Sequence, residues 1–276
     1  MKKFIRIGLW IVSIIATLFI GIILIFYFNQ EKILFYPQKL TTDHTFNYNE
    51  IFDEIFITTK DKIKLHGLLF KADSSRGLVF YLHGNAGSLN TWGRVAKPFL
   101  VNNYDCFVLD YRGYGKSEGE ITSESQLLED VSLVYQELIK NYKEDEVIIV
   151  GYSIGTALAA YLASINKPAK LILKAPYNNM TYMLELYYGW LPTSWLRYKL
   201  TTDEYLLAAD LPVIIFHGDE DRLIPYECSL RLQETFDDDD ILITLHRQDH
   251  NGISSNTDYI KSINKLLGDE KRSGAE

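Results

Sequence analysis

A turn at residues 151–155, with the sequence Gly-Tyr-Ser-Ile-Gly, constrains the fold of this chain more than any other segment. It follows the apolar run 147–150 and precedes the alanine-rich stretch 156–163, which is typical of a helix. Glycines at both ends allow a turn too tight for Cβ atoms, and such a turn projects the central serine above a sheet. The five residues alone also occur by chance, so the prediction depends on the flanking strand and helix.

Apolar runs alternate with helix-like stretches along the rest of the chain. Continuous runs of this kind predict an α/β fold with a mostly parallel sheet, helices on both faces and right-handed crossovers. Segments 51–58 and 63–70 instead predict an antiparallel pair, which completes a sheet of eight strands. The other predicted strands are 77–82, 104–110, 146–152, 169–173, 212–217 and 241–245, and the predicted helices are 89–102, 123–142, 154–165, 226–236 and 257–268.

The N-terminal segment is almost entirely apolar from Ile7 to Phe28 and carries no charge there. Its 22 residues would span about 33 Å as a helix, which is enough to cross the hydrocarbon core of a bilayer. Residues 1–30 are therefore predicted to form a transmembrane signal anchor. A cleaved signal peptide is the alternative, but its apolar region would be shorter and would end in a small-residue cleavage site.

The charges around this segment predict its orientation in a membrane. Lys2, Lys3 and Arg6 precede the apolar span, whereas Glu31 and Lys32 nearly cancel just after it. The positive-inside rule then places the N-terminus in the cytoplasm. We therefore expect a single-pass membrane protein whose folded domain lies on the non-cytoplasmic side.

The remaining residues divide into one large domain and a short end. Residues 31–268 are predicted to form the α/β domain, and residues 269–276 a polar tail. Segment 176–208 is an aromatic-rich insertion between two strands, longer than an ordinary connection. We predict that it forms a small helical cap whose inner face lines an apolar pocket, although most of its aromatic side chains could simply pack it onto the domain.

Composition excludes several classes of partner and ligand. The net charge is −8 and no stripe of lysine and arginine is present, which argues against nucleic acid as a partner. Cys106 and Cys228 are too few for a disulfide framework and are expected to be free thiols. The acidic run 237–240 is interpreted as a solvated loop, and no spacing of metal-ligating residues predicts a metal or another cofactor.

A serine nucleophile needs a base, an acid that orients the base, and donors for the oxyanion. Ser153 is the candidate nucleophile, and Asp221 lies in the loop after the predicted strand 212–217. His250 follows the last predicted strand and precedes an Asn-Gly turn, so the three occur in the order Ser, Asp, His. Asp249 could raise the pKa of His250 or point away from it.

Alternatives exist for both the acid and the base. Asp219 and Glu220 compete with Asp221, but we interpret the first as a loop cap and the second as exposed to water. His246 competes with His250 and is interpreted as a strand residue. The oxyanion hole needs two backbone N–H groups, for which Ile154 and Asn85 are the candidates.

Four motifs occur in order along the chain: 83–87 (His-Gly-Asn-Ala-Gly), 110–119, 151–155 and 217–221. With them the chain, over about residues 31–268, resembles the α/β-hydrolase superfamily. The apolar anchor followed by residues 32–37 (Lys-Ile-Leu-Phe-Tyr-Pro) is similar to the membrane-anchored ABHD-type branch of that superfamily.

The resemblance implies an α/β-hydrolase fold with Ser153 as nucleophile, Asp221 as acid, His250 as base, and Asn85 and Ile154 as oxyanion donors. It also implies that segment 110–119 is a structural loop below the site and does not supply ligands. We expect no cofactor.

We accordingly expect a membrane-anchored serine hydrolase that cleaves acyl esters or thioesters through an acyl-enzyme. Its substrate would be an acyl-containing small molecule, a lipid or an acylated protein. An aminopeptidase-like or other amidase activity, and a non-catalytic binding protein on the same fold, are the alternatives.

Overall fold

The computed structural model describes residues 2–268, and the predicted tail 269–276 lies outside them. The strands are β1 (Tyr36–Pro37), β2 (Phe52–Thr58), β3 (Lys64–Phe70), β4 (Leu78–Leu82), β5 (Ala86–Gly87), β6 (Asp105–Asp110), β7 (Val147–Tyr152), β8 (Lys170–Lys174), β9 (Val213–Gly218) and β10 (Ile241–Leu245). The α-helices are α1 (Lys2–Phe28), α2 (Gln30–Leu34), α3 (Leu89–Trp92), α4 (Lys97–Val101), α5 (Glu124–Leu138), α6 (Gly155–Ile165), α7 (Met180–Tyr188), α8 (Thr202–Leu207), α9 (Glu227–Leu232) and α10 (Thr257–Gly268).

Eight strands form one sheet in the order β10-β9-β8-β7-β4-β6-β3-β2. The strands from β10 to β6 run parallel, whereas β3 is antiparallel to both of its neighbours, β6 and β2. This is the predicted mostly parallel sheet with its antiparallel pair. Because parallel strands end at one edge, the loops after β4, β7 and β9 lie close together there.

Successive residues of the central strands point to opposite faces of the sheet and build two cores. In β4, Phe80 lies in the core shared with α5, α6 and α9, whereas Val79 and Tyr81 lie in the core shared with α4 and α10. Both cores contain fully buried aliphatic and aromatic side chains from several strands. Cys106 in β6 and Cys228 in α9 are buried free thiols, as expected.

The predicted helices differ from the observed ones mainly at residues 89–102. This segment consists of α3, a 3-10 turn over Gly93–Ala96, and α4, rather than one helix. Pro98 lies in the first turn of α4 and lacks the N–H that a continuous helix would need there. A Cβ atom at Gly93 would lie 2.5 Å from the ring of Tyr48, so the chain also needs glycine at this contact.

Helix α1 is separate from the two cores. It is 27 residues long. Its apolar stretch Lys3–Phe28 contains an 18-residue segment with a mean hydropathy of 2.9, and only 6 % of that segment is buried. By length and composition this helix could cross a membrane.

The aromatic insertion contains α7, a 3-10 turn over Thr193–Trp195, and α8. The side chain of Asn179 accepts a hydrogen bond from the backbone N–H of Tyr182 (2.7 Å) and so caps the start of α7. The rings of Tyr205 and Tyr161 meet edge to face with centroids 5.4 Å apart, which fixes α8 against α6. The insertion thus lies over the carboxyl edge of the sheet, and we call residues 176–208 the cap below.

Candidate active site

Ser153 lies at the tight turn between β7 and α6 with a φ angle of +53°, a left-handed value that is uncommon for a residue other than glycine. A Cβ atom at Gly151 would lie 2.6 Å from the carbonyl oxygen of Gly155, and one at Gly155 would collide with the carbonyl oxygen of Leu82. Glycine at both positions therefore permits the close crossing of strand and helix. Backbone strain of this kind costs about 1–3 kcal/mol and is typical of functional turns.

The structure brings the three predicted residues of the triad into one hydrogen-bonded chain. Nε2 of His250 lies 3.0 Å from Oγ of Ser153, and Nδ1 of His250 lies 2.7 Å from Oδ2 of Asp221. An ionised carboxylate only accepts hydrogen bonds, so Nδ1 carries the proton and Nε2 is free to accept the serine proton. All three residues are buried, with 5–7 % of their surface exposed.

Asp221 is held as a carboxylate by several donors. Its Oδ1 accepts hydrogen bonds from the backbone N–H groups of Leu223 and Ile224, both at 2.8 Å. Burial raises the pKa of Asp221, but contacts with His217 and His250 outweigh burial and hold the pKa below its usual range. Asp221 therefore stays ionised at neutral pH and accepts a hydrogen bond from Nδ1 of His250.

Asp249, for which the sequence left two roles open, points away from the ring of His250. Its Oδ1 accepts hydrogen bonds from the backbone N–H groups of His250 (2.7 Å) and Arg222 (3.2 Å), and these bonds lower its pKa. The hydroxyl of Tyr152 donates to the carbonyl oxygen of His250. These contacts fix the backbone of the loop that carries the base, and sequence reasoning did not identify either of them.

The loop after β4 places Asn85 beside Ser153. Hydrogen bonds fix the peptide groups on both sides of Asn85. Nδ1 of His83 lies 2.6 Å from the carbonyl oxygen of Gly84. The carbonyl oxygen of Asn85 accepts hydrogen bonds from the N–H of Tyr36 (2.8 Å) and the hydroxyl of Tyr114 (2.6 Å). Asn85 and Ile154, the two candidate oxyanion donors, line the same cavity as Ser153.

Two cavities reach Ser153. The first, of about 310 Å³, is lined by Ile154 and mostly by apolar and aromatic side chains, including Tyr177, Tyr187 and Tyr188 of the cap. The second, of about 580 Å³, contains His250 and has a more polar wall. Ser153 therefore lies between an apolar space and a more polar one, and aromatic side chains of the cap line the apolar space.

The competing acidic and histidine residues lie outside this chain of hydrogen bonds. Asp219 contacts His246 (2.9 Å) at the surface, and Glu220 is exposed. His246 is an exposed turn residue just after β10, so its interpretation as a strand residue is wrong. In the acidic run 237–240, Asp240 accepts a hydrogen bond from the N–H of Val213. Within residues 2–268, no group of three or more histidine, cysteine or acidic side chains is arranged to hold a metal ion.

The predicted structural loop 110–119 lies under the oxyanion loop. Asp110 accepts hydrogen bonds from the N–H of Leu89, and Arg112 forms a buried pair with Asp130 (2.5 Å) and a second pair with Asp61 (2.6 Å). The loop also supplies Tyr114, which contacts Asn85 as described. These contacts stabilise the loop after β4. The residues of loop 110–119 do not line either cavity at Ser153.

Comparisons with known proteins agree with this architecture. The family described as serine aminopeptidase S33 matches residues 73–205. An uncharacterized protein of Mycobacterium tuberculosis is 27% identical over 231 residues, which cover 80% of each chain. The lysophosphatidylserine lipase ABHD12 of Danio rerio is 28% identical over 182 residues, which cover 58% of this chain and 47% of that protein.

A solved structure, the esterase Pf2001 of Pyrococcus furiosus, superposes with a TM-score of 0.65 at 19% sequence identity and covers 87% of this chain and 97% of its own. This similarity confirms the predicted fold class. The matched family and the relatives also support an α/β-hydrolase.

Proposed function

We propose that this protein is a membrane-anchored serine hydrolase that cleaves acyl esters through an acyl-enzyme on Ser153. The observation that carries the proposal is the hydrogen-bonded chain from Ser153 through His250 to Asp221, next to an apolar cavity. A buried carboxylate, a correctly oriented imidazole and a serine on a tight turn are together what acyl transfer requires.

In the proposed reaction, Oγ of Ser153 attacks the acyl carbonyl carbon while Nε2 of His250 takes the hydroxyl proton. The N–H groups of Asn85 and Ile154 donate hydrogen bonds to the oxyanion. His250 then gives its proton to the leaving oxygen, and the alcohol departs. Water attacks the acyl-enzyme with His250 again as base, which releases the carboxylic acid and restores the serine.

Acyl esters of lipids are the proposed substrates, with thioesters and acylated proteins as further members of the class. The apolar cavity at Ser153 suits a hydrocarbon chain, and one relative is named as a lysophosphatidylserine lipase. An amidase activity is the second candidate, because the matched family is described as serine aminopeptidase. Parallel assays with p-nitrophenyl esters, acyl thioesters and aminoacyl anilides distinguish the three.

The anchor and the domain limits are part of the same proposal. We take residues 1–30 as a single transmembrane anchor, because α1 is long, apolar and largely exposed, and residues 31–268 as the hydrolase domain with its cap at 176–208. The charge bias around α1 favours a cytoplasmic N-terminus and a catalytic domain on the non-cytoplasmic side. Protease protection of sealed membrane vesicles tests this orientation.

Labelling with a fluorophosphonate probe tests the catalytic assignment directly. The wild-type protein in membranes is expected to react, and Ser153→Ala is expected to lose the label completely. Ser164→Ala is a matched control, because Ser164 lies on the same helix α6 and hydrogen-bonds only the carbonyl of Tyr161. A wild type that takes no label would support the non-catalytic binding protein, and equal labelling of Ser153→Ala would rule out this nucleophile.

A further inference from the structure

The apolar cavity at Ser153 continues toward the anchor helix. A further cavity of about 130 Å³ is lined mostly by apolar and aromatic side chains and shares six residues with the cavity at Ser153. The shared residues are Ile33, Leu34, Met180, Met183, Tyr187 and Tyr188. The further cavity adds Phe26, from the last turns of α1, and Leu196 of the cap. The two cavities therefore adjoin each other across these side chains between the anchor and the cap, and we call them together the anchor groove.

The end of the anchor is fixed to the cap on one side of this groove. Gln30 is only 1 % exposed; its side-chain amide donates to the carbonyl of Trp195 (2.8 Å) and accepts from the N–H of Arg197 (2.9 Å). Glu31 forms an ion pair with Arg197 (2.8 Å). A buried glutamine with both ends of its amide paired is a costly contact to break, so the anchor and the cap form a single unit here.

Large exposed apolar side chains surround the outer end of the groove. Trp190 of the cap contacts Phe19 of α1 (5.8 Å between ring centroids), and Trp195 contacts Tyr27 (6.1 Å). Neighbouring exposed residues of the cap are Leu186, Tyr187 and Tyr188. Tyrosine and tryptophan are favoured where a protein meets the headgroup region of a bilayer. This outer end therefore suits the membrane surface.

The position of His250 indicates which of the two cavities at Ser153 binds the leaving group and which binds the acyl chain. The base must protonate the leaving group, so the leaving group occupies the cavity that His250 lines. The acyl chain then occupies the other cavity, which contains Ile154 and continues into the anchor groove. An exposed Arg94 in the wall of the leaving-group cavity is compatible with a polar headgroup there.

We propose that the acyl chain of a bilayer lipid reaches Ser153 sideways through the anchor groove, so that the anchor helix forms one wall of the acyl-binding site. This inference rests on the proposed function and adds to it the route by which the acyl chain reaches Ser153. The anchor then does more than hold the enzyme at a membrane, since its Phe26 and the adjoining Ile33 and Leu34 touch the substrate chain.

A chain-length series with side chains that block the groove tests this inference. Met183→Trp fills the groove near Ser153 and is expected to lower kcat/KM for lauroyl and palmitoyl p-nitrophenyl esters at least about tenfold while leaving the acetyl ester within about twofold. Leu207→Trp is the control, because Leu207 is an exposed apolar residue of the cap that lines neither cavity. Unchanged hydrolysis of the long esters by Met183→Trp would overturn the inference.

A second blocking variant covers the case in which Met183→Trp also loses the acetyl ester. Leu196 lines only the outer cavity, so Leu196→Trp is expected to spare acetyl and butyryl esters and to slow only the longest ones. Equal slowing at every chain length, or no slowing at any, would overturn the inference.

Photo-crosslinking provides a direct measurement on the wild-type protein in vesicles. A hexadecyl fluorophosphonate with a terminal diazirine forms a bond from phosphorus to Oγ of Ser153 as fluoride leaves, and illumination then joins its tail to nearby residues. Crosslinks to Phe26, Ile33 or Leu196 are expected. Crosslinks confined to the leaving-group cavity, for example at Trp92, would overturn the inference. A probe that never labels Ser153 would instead contradict the proposed function.

Discussion

At the residue scale, the side chain of Lys174 is buried under the site without a carboxylate among its hydrogen-bond partners. It ends β8, is fully buried, and its Nζ contacts the hydroxyl of Tyr81 (3.3 Å) and Oγ of Ser254 (2.6 Å). The rings of Tyr81, Tyr152 and Tyr259 lie within 5.4 Å of Nζ. Burial lowers the pKa of Lys174 to about 7. Its neutral form is therefore favoured in the folded protein.

Replacing Lys174 should change how stability depends on pH. Between about pH 7 and pH 10 the unfolded chain binds a proton that the folded protein does not, so this residue makes the free energy of unfolding rise with pH by up to about 1.4 kcal/mol per unit. Below about pH 7 the full cost of burying the charge is present. Lys174→Met is therefore expected to be more stable than the wild type near pH 6, with a difference that shrinks toward pH 9.

Thermal or chemical unfolding in detergent at several pH values measures this difference. Groups that both proteins share cancel in the subtraction. A difference that is constant with pH would show that Lys174 keeps its proton in the folded state.

Asp221→Asn should abolish turnover, because it should shift the proton of His250 from Nδ1 to Nε2. The asparagine oxygen is expected to stay on the N–H groups of Leu223 and Ile224, which turns its NH₂ group toward Nδ1 of His250. The proton then moves to Nε2, where it faces Ser153, and kcat falls by about 10⁴-fold. Asp219→Asn is the control, because Asp219 contacts His246 at the surface. This variant should keep full activity on a short soluble ester. A loss of less than about tenfold for Asp221→Asn would contradict the assigned role.

The sequence predicts the three residues of the hydrogen-bonded chain because each one follows a recognisable strand in a fixed order. It does not predict the contacts of Asp249 or of Lys174. The carboxylate of Asp249 meets two N–H groups only because two loops distant in sequence come together. Lys174 follows the predicted strand 169–173, and its burial depends on the tyrosines that cover it.

At the scale of elements, the short strand β1 links the anchor segment to the oxyanion loop. Tyr36 and Pro37 pair in parallel with Ala86 and Gly87, and the N–H of Tyr36 holds the carbonyl of Asn85. The central strands β4, β6, β7 and β9 could be predicted from continuous apolar runs, because they are buried on both faces. A strand of two residues with exposed side chains has no such pattern, so only the structure reveals β1 and β5.

Removing the backbone N–H of Tyr36, which donates to the carbonyl oxygen of Asn85, should slow catalysis with little effect on substrate binding. Tyr36→Pro deletes the N–H that holds Asn85, whereas Tyr36→Ala keeps it and removes a side chain that is 54 % exposed. The loss of one such hydrogen bond is worth about 1 kcal/mol, so kcat for a short ester should fall about five- to tenfold in the proline variant. Equal kcat in the two variants, or a change confined to KM, would contradict this role for β1.

At the scale of the whole molecule, the segment after helix α1 and the cap meet at Gln30. The sequence predicts the anchor and the cap separately, from an apolar stretch and an aromatic insertion. It gives no sign that they touch, because the side chain of Gln30 reaches residues about 165 positions away. Ile23 of α1 is buried against Leu184 and Leu191 of the cap, which adds an apolar contact to the polar one.

Breaking this contact should separate activity on membrane lipids from activity on soluble esters. Gln30→Ala leaves the carbonyl of Trp195 and the N–H of Arg197 without their partner, which loosens one wall of the anchor groove. Hydrolysis of a palmitoyl lysophospholipid in phosphatidylcholine vesicles should fall at least about fivefold, whereas p-nitrophenyl acetate turnover should stay within about twofold, since the triad is untouched. Gln38→Ala is the control, because Gln38 lies beyond β1 and contacts Ser88 rather than the cap. Equal losses on both substrates would mean that Gln30 supports the whole domain rather than the route of the acyl chain.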